Sequence, residues 1–354
     1  MSPYRVVVSL IVVTVILFGT GPPAWACGGL VGSNGSIQLV KTTTLAAFHE
    51  GVQRYVTSFE FSGEGEELGS IVPLPAVPTE VERGGDWTLQ RLAREVAPAQ
   101  PEAFVDASAQ ATAAAGARVL LETEIDALDI TVLEGGGDEV GEWAVANGFS
   151  LTPDAPEVLD FYAERSPIFM AAKFDASRAA ELGQTSGDGT PIMLTIPTDE
   201  PWVPLRILGL GLGADQVVEA DVFLLTDDRP DLLPGGPGLT LQRSEAASKP
   251  LLADLRSDRG MEWVPGGMWL SYLQLEAPAG DLDYDLAIST TDGRPPSAVD
   301  AGIEGLGHAG QIVDGQGGAL WPVGAGVGTS IALGMGIAVM VWRRRAVRPE
   351  ELAI

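Results

Sequence analysis

Short apolar runs separated by glycine and proline recur along most of the chain, and many of them alternate with polar positions. Runs of this kind predict β-strands. We predict strands over residues 36–48, 55–61, 129–133, 168–174, 192–196, 205–210, 217–225, 268–275 and 284–289. The proline-containing run 70–78 is predicted to be an extended edge or surface strip, because proline cannot donate a hydrogen bond to a neighbouring strand.

Helical periodicity is confined to a few short segments. Residues 88–93 predict one short helix, and 138–147 predict a second, which ends at Gly148 and buries Val140, Trp143 and Ala144. Residues 156–165 predict a third helix, with proline in its first turn and a buried stripe of Val158, Leu159 and Tyr162. The sequence therefore predicts a strand-rich α+β domain with a few short helices.

The N-terminus has the three parts of a secretory signal. Arg5 precedes the apolar run 6–18, and Ala24-Trp25-Ala26 follows a glycine- and proline-rich break. The apolar run is too short to cross a hydrocarbon core of about 30 Å. We predict a signal peptide over residues 1–26, with Cys27 as the first mature residue. Cys27 is a candidate for lipidation, with an unmodified thiol as the alternative.

A second apolar segment lies near the C-terminus. Residues 323–342 carry no charge, and Arg343, Arg344 and Arg345 follow at once. About 20 residues span a bilayer core, and the arginines stop transfer across it. We predict one transmembrane helix over residues 321–342, flanked by Trp321 and Trp342, and a cytoplasmic tail over 343–354. The protein is then expected in the plasma membrane as a single-pass protein with its ectodomain outside.

The predicted ectodomain covers residues 27–290, with a possible subdivision near residue 180. Residues 291–320 are rich in glycine, aspartate and serine and predict a flexible stalk. The alanine-rich segment 98–117 fits either a mobile insertion or a surface helix. On the transmembrane helix, a stripe of small residues favours self-association, although small residues also lie on its other faces; the stripe is Gly324, Gly328, Ala332 and Gly336.

The net charge is −27 at pH 7, and five of the 21 basic residues lie near the termini. A field of this sign repels nucleic acid, which excludes nucleic-acid binding. It attracts cations and basic partners, such as another protein of the cell envelope. The alternative is that the charge only keeps the surface soluble.

Most catalytic and metal-binding motifs are missing from the sequence. The chain has one cysteine and two histidines, so it lacks the ligands of a zinc site, and neither a disulfide nor a cofactor is expected. His49, next to Glu50, is interpreted as a surface or edge residue. The spacing of Asp281, Asp283 and Asp285 resembles the start of a calcium-binding loop, but the glycine and glutamate of that loop are absent. The start of an amphipathic strand is the alternative interpretation.

Several short segments of the chain form a recognisable set. They are Cys27-Gly28-Gly29-Leu30, the strip 71–78, the block from Trp143 through Asn147-Gly148-Phe149, Leu159 and Phe161-Tyr162 to 169–174, and Pro204-Leu205-Arg206. Together they resemble a bacterial family described as domain of unknown function 2330. The resemblance extends over roughly residues 27–225. It implies an exported protein with a shared ectodomain fold, and it supplies no catalytic residue.

Three functions are compatible with these features. The first is a membrane-anchored, non-enzymatic ectodomain that binds a protein or another component of the envelope. The second is an extracytoplasmic hydrolase, which requires two carboxylates in an apolar cleft. The third is an accessory subunit of a membrane complex, held there by its transmembrane helix. The absence of catalytic motifs favours the first.

Overall fold

The structure, a computed structural model, describes residues 29–32, 42–58, 67–97, 117–183, 190–232, 236–289 and 313–314. Among the helices of these residues, none is long and apolar enough to cross a bilayer. Several predicted features lie outside the described residues: the signal peptide, the stalk apart from residues 313–314, the transmembrane helix and tail, and with them Cys27, Gly324, Gly328, Ala332, Gly336 and Arg343, Arg344 and Arg345.

The described residues form a strand-rich α+β fold. The strands are β1 Gly29–Gly32, β2 Thr42–His49, β3 Val52–Ser58, β4 Glu67–Leu74, β5 Glu80–Arg83, β6 Arg118–Ile125, β7 Leu128–Glu134, β8 Ile168–Asp175, β9 Pro191–Pro197, β10 Trp202–Val203, β11 Val217–Thr226, β12 Asp231–Leu232, β13 Leu239–Ala246, β14 Trp269–Pro278, β15 Leu286–Ser289 and β16 Val313–Asp314. The helices are α1 Thr88–Val96, α2 Gly137–Ala146, α3 Ala155–Ala163, α4 Ala176–Glu181 and α5 Lys249–Ser257. The α+β prediction is confirmed.

These strands form three sheets. The first is antiparallel and has the order β1-β4-β8-β7-β6. The second has eight strands in the order β16-β13-β14-β11-β2-β3-β9-β5, with β2 and β11 paired in parallel near its middle. The third is small and has the order β10-β15-β12. A boundary near residue 180 would separate β2 and β3 from strands with which they pair.

Successive residues of the eight-stranded sheet point to opposite faces, and both faces are covered. On one face, Leu45, Val56 and Phe223 pack with leucines of α1 and α5. On the other, Ala46, Tyr55 and Val222 belong to a larger core that includes the five-stranded sheet. Residues of α2 and α3 complete that core, namely Val140, Trp143, Ala144, Val158, Leu159 and Tyr162. The consecutive apolar residues 45–48 of β2 and 222–225 of β11 are consistent with this double burial.

The three predicted helices are confirmed as α1, α2 and α3, and most predicted strands are found within a few residues of their predicted ends. Two predictions are wrong. The run 205–210 forms a 3₁₀ turn, Arg206–Gly209, because its apolar side chains are buried without strand pairing and a side-chain carboxylate binds its first backbone amides. The strip 70–78 is not wholly at the surface, because residues up to Leu74 form the interior strand β4 and are buried.

The proline within β4 has a simple explanation. Pairing with β1 ends at Ile71, so Pro73 lies beyond the reach of β1 while β8 still pairs alongside it. A missing backbone N–H is tolerated where one side of a strand has no partner. Strands β6 and β13 and helices α4 and α5 were not predicted.

Candidate functional site

A groove of about 430 Å³ lies beside helices α2 and α3. Its volume falls in the range of specific binding sites, roughly 300–1,000 Å³. It is lined by Gly137, Asp138, Gly141, Glu142, Val145, Ala146, Leu151, Pro156 and Leu159. Most of the lining is apolar, and the two carboxylates are exposed.

Helix α2 is fixed so that one side faces the groove. Its start is stabilised by the Glu139 carboxylate, which accepts a hydrogen bond of 2.9 Å from the backbone N–H of Gly136. Its end is the predicted glycine stop, where Gly148 has a φ of 87°. Because Trp143 belongs to the buried core, Val145 points outward and is 60% exposed. That is the largest exposed fraction among the large apolar residues described.

Helix α3 forms the opposite side of the groove and packs closely on α2. Close approach depends on Gly137, because a Cβ atom there would lie 2.2 Å from Oδ1 of Asp160 and 2.6 Å from its backbone nitrogen. Leu159 is buried at the base of the groove, while Pro156 is exposed at its edge. The groove is therefore held by core packing on both sides.

Gly141 leaves the middle of the groove open. A Cβ atom at this position would meet only Leu151 at 3.5 Å and Leu159 at 3.9 Å, which are ordinary contacts. We expect Gly141→Ala to stabilise the protein by about 0.5–1 kcal/mol, because alanine favours a helix interior over glycine. Urea unfolding measures this change, and a loss of stability would show that the helix is strained at this point.

The groove is strongly acidic. Residues 137–165 contain seven carboxylates and one arginine, Arg165. Glu157 forms an ion pair with Arg206. No basic residue in the described part of the chain pairs with Asp138 or Glu142, which stand four positions apart on α2. The groove thus combines an apolar lining with unneutralised negative charge.

Arg165 does not neutralise this charge, because it is bound to a buried aspartate, Asp285. Its guanidinium also lies 4.5 Å from the ring centroid of Trp202, close enough for a cation–π interaction. Trp202 in turn stacks on Tyr162 of α3. The single arginine of this segment therefore belongs to the core.

The Asp285 carboxylate connects α3 to the distant segment 205–206. Its Oδ1 accepts hydrogen bonds from the Tyr162 hydroxyl at 2.8 Å, the Leu205 amide at 2.6 Å and the Arg206 amide at 3.0 Å. The Tyr162 hydroxyl accepts a hydrogen bond of 3.0 Å from the Ile207 amide. We use the name Asp285 network for a set of six residues: Asp285, Tyr162, Leu205, Arg206, Ile207 and Arg165.

Burial raises the pKa of Tyr162 well above its usual value, and the neighbouring charge of Asp285 raises this pKa further. Arg165 partly opposes the shift. The Tyr162 hydroxyl therefore stays protonated and remains a donor to Asp285. The network is a structural connection, in which the Asp285 carboxylate and the Tyr162 hydroxyl bind each other and the backbone amides of residues 205–207.

The three aspartates that resemble a calcium loop have separate environments. Asp281 and Asp283 are exposed, whereas Asp285 is buried and surrounded by N–H and O–H donors. Donors of this kind occupy the lone pairs that a cation would need. Among the described residues, no group of three or more His, Cys, Asp or Glu side chains is arranged to hold a metal ion.

His49 has a partner that the sequence did not predict. Its Nδ1 lies 2.6 Å from Oδ1 of Asp227, where β2 and β11 end side by side. A carboxylate on one ring nitrogen orients the imidazole, as in many catalytic sites. In the described part of the chain, however, no hydroxyl is hydrogen-bonded to His49, and both side chains are partly exposed.

The Asp285 network brings together segments that were recognised in the sequence only as separate short motifs. Tyr162 and Leu205-Arg206 are among the residues that carry the family resemblance, and Asp285 binds all three. One signal for this lay in the sequence, since Asp285 interrupts the apolar run from Tyr284 to Ile288. The sequence contains a weaker signal for the groove, because Val145 lies outside the buried stripe of α2.

Fold and groove together define a strand-rich α+β protein with an apolar groove, rimmed by carboxylates, beside α2 and α3. Residues 21–229 match a family described as uncharacterized protein conserved in bacteria (DUF2330), and the chain belongs to this family. The matched segment ends after β11, so β13, β14 and Asp285 lie beyond it. Strands of the matched segment therefore pair with strands that lie beyond it in the sequence.

Solved structures show only distant similarity. The crystal structure of baculovirus P35 has a TM-score of 0.39 and 10% sequence identity, over 73% of this chain and 98% of that chain. The caspase-8/P35 complex gives a TM-score of 0.32 and 7% identity, over 71% of this chain and 93% of that chain. Similarity at this level carries no information on function. No curated protein matches the sequence.

Proposed function

We propose that the protein is a membrane-anchored extracytoplasmic module that binds another protein of the bacterial envelope and is not an enzyme. The observation that supports this proposal is the groove beside α2 and α3, where Val145 is 60% exposed within an apolar lining. An exposed apolar surface rimmed by polar residues is typical of an interaction site. The groove is held by core packing, so a partner meets a preformed surface.

The location proposed for the module rests on features of the sequence. The apolar segment 323–342 and the three arginines after it favour a single C-terminal anchor, with the described residues outside the cell. A net charge of −27 favours partners with basic surfaces.

Removal of residues 321–354 is expected to release the protein from the membrane, because the proposed anchor lies within this segment. Membranes washed with alkaline carbonate and probed by immunoblotting measure the release. The same truncation with Cys27→Ala is the matched control for a lipid on Cys27. Release only in the doubly altered chain would show a second anchor, and retention of both chains would contradict the proposed anchor.

Purification of the full-length chain from native membranes in mild detergent tests the binding function directly. We expect a stoichiometric partner, identified by mass spectrometry, and no partner when the same tag is carried by an unrelated single-pass protein. A chain that purifies alone, under conditions that preserve other envelope complexes, would contradict the proposal.

A further inference from the structure

The inference drawn here rests on the proposed binding function and identifies the chemistry of the partner. We infer that the groove beside α2 and α3 binds an apolar segment of an envelope protein that carries two basic residues about one helical turn apart. The apolar side chains of this segment lie over Gly141 and Val145. Its basic side chains pair with Asp138 and Glu142.

The shape of the groove supports a segment of chain as the occupant. Gly141 has no side chain, and a Cβ atom there would meet nothing closer than 3.5 Å, so a partner can approach the α2 backbone closely. The apolar lining continues along one side of α2 and across to α3, through the exposed Val145 and Ala146, the half-buried Leu151 and the exposed Pro156. An apolar face laid along such a groove is a common form of segment recognition.

The negative charges of the groove favour a partner segment with basic residues. Asp138 and Glu142 are four residues apart, which places their side chains about 5–6 Å from each other on one face of α2. Both are exposed, and no basic residue among those described pairs with them. Lysine or arginine at a spacing of three or four residues in a partner helix matches this pair. The groove therefore complements a basic segment in charge and in spacing.

The same charge disfavours two other occupants. A second copy of this chain carries a net charge of −27 and would meet the acidic rim with like charge. Anionic lipid head groups are repelled for the same reason. Both occupants remain distinguishable outcomes of the experiment below.

A photo-crosslinking residue, benzoylphenylalanine, placed at position 145 of the full-length chain in native membranes tests the inference. The matched control carries the same residue at position 217, since Val217 is 57% exposed and does not line the groove. We expect a crosslinked protein with the residue at position 145 and none at position 217. Mass spectrometry of the crosslinked peptide is expected to show an apolar segment with two lysines or arginines three or four residues apart.

Charge reversal supplies the second measurement. Asp138→Lys combined with Glu142→Lys is expected to reduce crosslinking at position 145 at least about tenfold, since like charges across an interface are strongly unfavourable. The control is Glu122→Lys with Glu124→Lys, which makes the same change in net charge at exposed positions of β6. Equal loss in both doubly altered chains would overturn the specific pairing.

The outcomes separate this inference from the proposed function. A partner that co-purifies but gives no crosslink from position 145 would overturn the inference and leave the binding function standing. A crosslinked segment from a second copy of this chain, or one without basic residues, would also overturn the inference. If no partner co-purifies and no crosslink forms, both are overturned.

Discussion

Replacement of Asp285 by alanine is expected to destabilise the protein by about 3–5 kcal/mol, because it removes the buried carboxylate that pairs with the mostly buried Arg165. The Leu205 and Arg206 amides and the Tyr162 hydroxyl lose their acceptor at the same time. Single domains are stable by only about 5–15 kcal/mol, so the change removes a large part of the total. We therefore expect much less folded protein.

Urea unfolding of the purified full-length chain, followed by tryptophan fluorescence, measures this effect. Asp283→Ala is the matched control, since Asp283 is two residues away but exposed. Its expected effect is within about 0.5 kcal/mol. If Asp285→Ala does not yield folded protein, Asp285→Asn keeps the shape of the side chain and is expected to show a smaller loss. Equal stability of the Asp283 and Asp285 variants would contradict the role of the network.

The second large effect is expected from Asp258→Ala, at about 3 kcal/mol, since hydrogen bonds to a charged group contribute more than neutral ones. The Asp258 carboxylate is buried and accepts hydrogen bonds from the Asp86 amide at 3.0 Å, the Trp87 amide at 3.0 Å and the Thr88 hydroxyl at 2.8 Å. These donors lie at the start of α1, whose positive end attracts the carboxylate. Loss of Asp258 therefore weakens the attachment of α1 to the end of α5.

Hydrogen exchange of the amides in α1 and α5, together with urea unfolding, checks this prediction. Asp254→Ala is the control, because Asp254 lies on the same helix and binds Arg91 with a side chain that is 49% exposed. Surface ion pairs of this kind contribute about 0–1 kcal/mol. We expect faster exchange in α1 for Asp258→Ala only. Unchanged exchange would show that core packing alone holds α1.

Local patterns predicted much of the fold. Helix α2 followed from the spacing of Val140, Trp143 and Ala144, β2 from a threonine-rich run, and β11 from its apolar sequence. The 3₁₀ turn at Arg206–Gly209 did not follow, because its backbone hydrogen bonds go to Asp285, about 80 residues later. Strand β6 was missed because its exposed positions make its sequence polar. An element that is stabilised by residues distant in the sequence cannot be predicted from its own segment alone.

The same limit applies to the sites. The His49–Asp227 pair joins residues 178 positions apart, and neither residue has a local motif. The groove depends on the angle between α2 and α3, which the close contact of Gly137 with Asp160 fixes. By contrast, the net negative charge of the chain was apparent in the sequence. Charge could be predicted, whereas the arrangement of the charged groups could not.

The parallel pairing of β2 with β11 has a consequence for how the protein folds. Each of these pairs joins residues 178 positions apart, from Thr42 with Ala220 to Phe48 with Thr226. Contacts of such high contact order form slowly, because a long loop must close before they become favourable. The middle of the eight-stranded sheet cannot assemble until residue 226 has been synthesised. Until then the apolar strand β2 has only β3 as a hairpin partner, and a chaperone that covers this hairpin would protect the nascent chain from aggregation.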